Sequence, residues 1–173
     1  MTGPRLILVG PPGSGKSTVG RLAAERLGVD LRDTDADVEA AVGKAISDIF
    51  TEDGEPAFRS AEEQAVATAV REHSGVLALG GGAILSERTR AVLAGQRVAF
   101  LNVGLGEGVR RTGLSTARPL LAGVNPRATF KQLLDARLPL YRQVAAIEVD
   151  TDERTPDEVV DAVLAAVENV GTP

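Results

Sequence analysis

The residues whose types and spacing most directly suggest chemistry are Gly10 to Ser17, which read G-P-P-G-S-G-K-S and fit the pattern GxxxxGK[ST]. Glycines in such a run let successive backbone N–H groups turn inward around a phosphate, and a following helix adds its positive N-terminal end. Gly13, Ser14, Gly15 and Thr18 would then surround the phosphates of a nucleotide, ATP being the expected one. Lys16 would reach the β- and γ-phosphates, and the Ser17 hydroxyl would hold Mg²⁺. Lys16 is one of three lysines beside sixteen arginines, so its place here is not incidental. It is expected to project into solvent when nothing is bound.

Further candidates lie along the chain. Asp33 and Asp35, in "VDLRDTD", would alternate on a strand and so share a face. At the C-terminal end of a strand beside the phosphate loop, one could serve a metal and the other an acceptor hydroxyl; the alternative is a pair of solvated turn acids. Arg59 has glutamates three and four positions on, which suits either a surface ion pair or a planar fork for a substrate carboxylate. Gly80, Gly81 and Gly82 form either a tight strand exit or a place where a ligand approaches the backbone. His73, the single histidine, is expected at the surface near a helix end, with no catalytic part.

These residues need elements to hold them. "RLILVG" reads as a buried strand running into the glycine loop, and Ser17 to Leu27 has helical spacing. Strand candidates follow in "VDLRDTD", "GVLALGGG", "RVAFLNV" and "AAIEVDTD". Helices are expected from Glu55 to about His73, after a Ser86 cap, from Asn125-Pro126 to about Tyr141, and from Thr155, where Glu158 completes a capping box. Five strands alternating with helices imply an α/β fold with a parallel sheet covered on both faces. The zone from 112 to 124 carries little pattern.

Composition narrows the class. A chain of 173 residues suits one domain, taken as 1–173. Its net charge of −5 argues against general affinity for nucleic acid or an anionic membrane. With no cysteine there is no thiolate nucleophile or thiolate metal site. The apolar run Leu6 to Val9 is too short for a signal-peptide core, so a cytoplasmic protein is expected. A guanine-reading NKxD segment is absent, as is an apolar run ending in Asp-Glu, which favours a small kinase over a GTPase or motor ATPase.

Several segments together narrow this further: "DTDADVE" at 33–39, "GEPAFRSAEE" at 54–63, "LGGGAI" at 79–84, "RTGLSTARPLL" at 111–121 and "RLPLYRQVA" at 137–145. In order and spacing the chain resembles the shikimate kinases over nearly its whole length. The resemblance implies a phosphate-loop NTPase fold with a five-stranded parallel sheet of order 2-3-1-4-5, flanking helices and a lid at about 112–124. It also implies transfer of phosphate from ATP to the 3-hydroxyl of shikimate, with ADP as the other product, by a protein expected to act as a monomer. The substrate-binding region would fall at about 33–62. Asp33 matches the acid that holds Mg²⁺ through water, and Asp35 the acid on the shikimate hydroxyls. Arg59, Arg137 and the Gly80–Gly82 run match the groups that grip the acceptor. Arg118 matches a lid arginine that reaches the ATP phosphates, and Arg111 one that flanks adenine. Arg154 and Pro156 fall in the segment along the base. Lys16, Asp35 and Arg118 would be the catalytic set. Arg32 departs from the family's usual apolar or aromatic residue there. A gluconate kinase and a non-catalytic nucleotide switch are the alternatives.

Overall fold

The computed structural model describes residues 3–112 and 126–170. The expected 112–124 lid, apart from Thr112, lies outside the described residues, and so does Arg118.

Five strands form one parallel sheet: β1 (Leu6–Val9), β2 (Leu31–Asp33), β3 (Val76–Ala78), β4 (Val98–Asn102) and β5 (Ile147–Asp150). Their order is β2-β3-β1-β4-β5, the order the resemblance implied. Alternation along the central strand explains how both faces are covered. Ile7 and Val9 point to one side, where they meet Val66, Ala69 and Val70 of α4 (Glu55–Glu72), Leu93 of α5 (Glu87–Leu93) and Tyr141 of α7 (Pro126–Val144). Leu6 and Leu8 point to the other, against Val19 and Ala23 of α1 (Lys16–Leu27) and Val159, Val160 and Val163 of α8 (Pro156–Asn169). With so few aromatics, this core is built from branched aliphatic residues at zero to a few per cent exposure.

Two helical regions were not evident from the pattern. One comprises α2 (Thr34–Val42), α3 (Ile46–Asp48) and a π-helical turn, Ile49–Asp53, which close over α4 through Val38, Ile49 and Phe58. The other is α6 (Leu105–Thr112), whose Gly106 and Gly108 are poor helix formers. Gly108 is needed for packing, since a Cβ there would stand 2.4 Å from the Phe130 ring of α7.

The Ser86 cap and the Thr155–Glu158 box are both present, while Asn125, expected to cap α7, lies outside the described residues. Ser86 accepts from the Thr89 N–H to cap α5, and α7 starts at Pro126 but runs on past Tyr141 to Val144 with Pro139 inside it. Thr155 Oγ1 accepts from the Glu158 N–H at 3.2 Å while the Glu158 carboxylate accepts from the Thr155 N–H at 3.1 Å. Thr155→Ala removes half of this box and should cost about 1 kcal/mol. For a chain of this size that lowers the thermal midpoint by roughly 2–4 °C in a melting scan. Among the described residues, no helix is long and apolar enough to cross a membrane.

Candidate active site

The phosphate loop joins β1 to α1 at the C-terminal edge of the sheet, where open α/β sheets bind ligands. Gly13 (φ 81°) and Gly15 (φ 89°) both adopt left-handed backbone that a side chain would strain, and this turns the loop into a cradle. Lys16 does not project into solvent as expected. It is half-buried, and its Nζ donates to the Gly10 carbonyl at 2.7 Å, the Pro11 carbonyl at 3.0 Å and Ser14 Oγ at 3.4 Å. The ammonium thus lies over the mouth of its own loop.

Asp33 and Asp35 do not alternate on a strand. β2 ends at Asp33, whose carboxylate accepts from the Asp35 N–H at 2.9 Å and so caps α2. An aspartate at this position is a strong helix start, and acids at 35 and 37 in the first turn suit the helix dipole. Capping therefore wins over strand continuation. Both side chains still line one cavity of about 300 Å³ with Gly13, Gly15, Lys16, Ser17 and Thr18. Thr34 between them is buried, with Oγ1 donating to the Ala78 carbonyl at 3.5 Å. Arg32, the departure noted above, clamps the base of α2 to α4, with bonds to Asp37 at 2.8 Å and Glu72 at 3.3 Å.

Arg59 and Arg137 meet beside this cavity. Arg59 on α4 donates to Glu62 at 2.9 Å and Glu55 at 3.3 Å, and its guanidinium stands 5.2 Å from the Phe58 ring centre. The ion pair considered as a surface feature is present, but it faces inward, because Glu62 is only 3% exposed. Arg137 on α7 is 6% exposed. Burial pulls its guanidinium below the usual value; Tyr141 and Glu62 oppose that shift, whereas nearby Arg59 reinforces it. Glu62 thus pairs with Arg59 and also acts electrostatically on Arg137. Its spacing from Arg59 was visible in the sequence, but its burial was not.

The glycine run after β3 is a close-approach site, for side chains of this chain. A Cβ on Gly82 would stand 2.4 Å from Arg59 Nη1, and one on Gly80 would stand 2.6 Å from Asp35 Oδ1 and 2.8 Å from Glu62 Oε2. On Gly81 it would be 3.2 Å from Pro12 and 3.5 Å from Arg137 Nη1. Three glycines thus let two arginines and two acids converge on one backbone.

On the other side of the loop, a cavity of about 600 Å³ is lined by Ser14, Thr18, Arg111, Arg154 and Pro156 together with Glu107, Arg110, Thr151 and Glu153. Arg111 Nη1 donates to the Gly13 carbonyl at 2.9 Å and to Thr151 Oγ1 at 3.3 Å, joining the phosphate loop to the segment after β5. Glu107, held below the usual carboxylate range by Arg110 and then Arg111, fixes both guanidiniums. Asp152 accepts from the Gly104 N–H at 3.0 Å, anchoring the start of α6 to the same segment. His73 is partly exposed, at the end of α4. Its Nε2 lies 3.1 Å from the Asp30 carbonyl and 2.9 Å from that of Val76, away from both cavities.

The two adjoining cavities suit a nucleotide and a small anionic acceptor. The Ser17 hydroxyl and Asp33 carboxylate in the first cavity are hard oxygen donors of the kind Mg²⁺ prefers. Among the described residues no cluster of three His, Cys, Asp or Glu gathers as a metal cage.

The family model described as shikimate kinase matches residues 12–168. A shikimate kinase of Saccharopolyspora erythraea is 68% identical over 164 residues, covering 95% of this chain and 94% of that protein. A shikimate kinase from Acinetobacter baumannii, solved in complex with shikimate, superposes with a TM-score of 0.93 at 34% identity, covering 99% of this chain and 97% of that one. A gluconokinase from Sinorhizobium meliloti, at a TM-score of 0.52 and 20% identity over 95% of this chain and 91% of that one, shares the fold alone.

Proposed function

This chain belongs to the shikimate kinase family, and we infer from that premise that it transfers the γ-phosphate of ATP to the 3-hydroxyl of shikimate, giving shikimate 3-phosphate and ADP. The observation that carries the reading is the convergence of Asp35, Arg59, Glu62 and Arg137 on Gly80–Gly82, next to the phosphate loop.

ATP lies across the loop with its base in the second cavity, beside Arg111, Arg154 and Pro156. The amides of Gly13, Ser14, Gly15 and the α1 N-terminus, with Thr18, hold the phosphates. Lys16 exchanges its loop carbonyls for the β- and γ-phosphates, so its charge enters the site already oriented. Ser17, and Asp33 through water, would hold Mg²⁺, which would supply neutralising charge to the phosphates. Phosphoryl transfer needs alignment and charge neutralisation more than covalent help. Arg59 and Arg137 grip the ring carboxylate of shikimate at one end, and Gly80–Gly82 lie along the ring. At the other end Asp35 orients the 3-hydroxyl and accepts its proton as oxygen attacks the γ-phosphorus. Arg118, outside the described residues, completes the charge on that phosphate by the family resemblance.

A coupled ADP-release assay tests this. Shikimate should drive release, whereas gluconate and acceptor-free controls should give only background. Turnover of gluconate at the shikimate rate would overturn the acceptor assignment, and partner binding without turnover would favour a nucleotide switch.

The acceptor end gives a sharper prediction. Arg59→Lys keeps the charge but loses the planar fork, so the KM for shikimate should rise at least tenfold, about 1.4 kcal/mol, with the KM for ATP unchanged. Gly82→Ala should act in the same direction, because the new methyl group displaces the Arg59 guanidinium. Steady-state kinetics with each substrate varied separately checks both variants.

A further inference from the structure

Tyr141 is the chain's one tyrosine, and it is 1% exposed. Its ring stacks on Phe100 of β4, with centroids 4.8 Å apart and planes at 17°. That packing asks only for an aromatic ring, and phenylalanine would supply it without burying a hydroxyl. A buried hydroxyl must be matched by partners or it costs stability.

The partners here belong to the acceptor end of the site. The Tyr141 hydroxyl donates to the Gly81 carbonyl at 2.5 Å, across 60 positions of sequence. One helical turn earlier on α7 stands Arg137, and the phenol oxygen interacts with its guanidinium by hydrogen bonding and electrostatically. Gly81 packs closely in turn, since a Cβ there would lie 3.5 Å from Arg137 Nη1 and 3.3 Å from the Gly10 carbonyl of the phosphate loop. One hydroxyl thus joins the arginine of α7 to the glycine exit of β3, at the seam between acceptor and phosphate loop.

We propose that Tyr141 is a positioning residue, which holds the Arg137 guanidinium and the Gly81 backbone in register for the acceptor's carboxylate without touching the acceptor itself. This rests on the reading that Arg137 grips that carboxylate. The 137–141 spacing is then a functional unit: α7 brings both groups to one face, and the stacked ring fixes the height of the hydroxyl.

Tyr141→Phe retains the ring and its stacking on Phe100. The KM for shikimate should rise roughly tenfold, with kcat and the KM for ATP each within about twofold of wild type. Arg137→Lys should also raise the KM for shikimate, by tenfold or more. In the double variant the two effects should fall well short of multiplying, because the hydroxyl acts through the arginine. A merely structural tyrosine would instead lower the melting temperature and leave the KM for shikimate near wild type, or would multiply with Arg137→Lys; either result overturns the proposal. If Arg137→Lys leaves the KM for shikimate unchanged, the assignment of Arg137 fails, and the role of Tyr141 fails with it. If Arg137→Lys raises it and Tyr141→Phe does not, only the role of Tyr141 fails.

Discussion

Asp35→Asn is expected to leave ATP binding within about twofold of wild type while transfer to shikimate falls by roughly 10²–10⁴, the range associated with losing a positioned proton acceptor. Asparagine has nearly the same shape and can still hydrogen-bond the acceptor, but it carries no charge and cannot take the proton. The fold should tolerate the change. Asp35 lies in the first turn of α2, where its charge contributes about 0.3–1 kcal/mol through the helix dipole, and the Asp33 cap that starts the helix is untouched. Asp33→Asn is the informative contrast, because asparagine caps helices about as well as aspartate. That variant should keep the fold and the acceptor affinity but need more Mg²⁺ for half-maximal rate. Magnesium titrations of both variants under saturating ATP and shikimate separate the roles. Identical metal dependence in the two would contradict the division between them.

Lys16→Ala should be as damaging at the other reactant. The loop amides are neutral dipoles and cannot replace an ammonium on the γ-phosphate. Loss of one such charge from a water-poor site costs on the order of 10²–10³ in turnover, and more where other groups depend on its position. The structure adds a second effect. Nζ ties together the Gly10 and Pro11 carbonyls and Ser14 Oγ, so its removal also loosens the cradle. The KM for ATP should therefore rise along with the fall in kcat, whereas the melting temperature should move by only a few degrees, since the core lies elsewhere. Near-normal turnover would contradict the assignment of this loop to ATP.

What was legible in the sequence was mostly local chemistry. The phosphate loop, the Ser86 cap and the Thr155–Glu158 box each depend on residues within a few positions of one another, so spacing alone identifies them. The sheet order was available through family resemblance, since strand alternation gives a parallel sheet without its sequence of neighbours. The failures share a different cause. At Asp33 a strong cap competed with strand alternation, and nothing in the period-two pattern revealed that the helix would win. Helix α6 was hidden because its glycines oppose helix formation, and one of them is required by Phe130, a contact across the fold. Glu62 looked like the outer half of a surface pair because burial depends on where α4 lands against α7. The Gly82–Arg59 and Tyr141–Gly81 contacts join segments 23 and 60 positions apart, beyond the reach of any local pattern.

The reaction is defined by the bond formed, and the product reveals that bond. Shikimate, ATP and Mg²⁺ should be incubated with the protein and the sugar-like ring product assigned by ³¹P and ¹H NMR, with gluconate run in parallel. The phosphorus should couple to the proton on C3 of the shikimate ring, appearing together with an equal amount of ADP, and gluconate should be recovered unchanged. Phosphate on another hydroxyl, free phosphate in place of a phosphorylated ring, or conversion of gluconate at a comparable rate would contradict it.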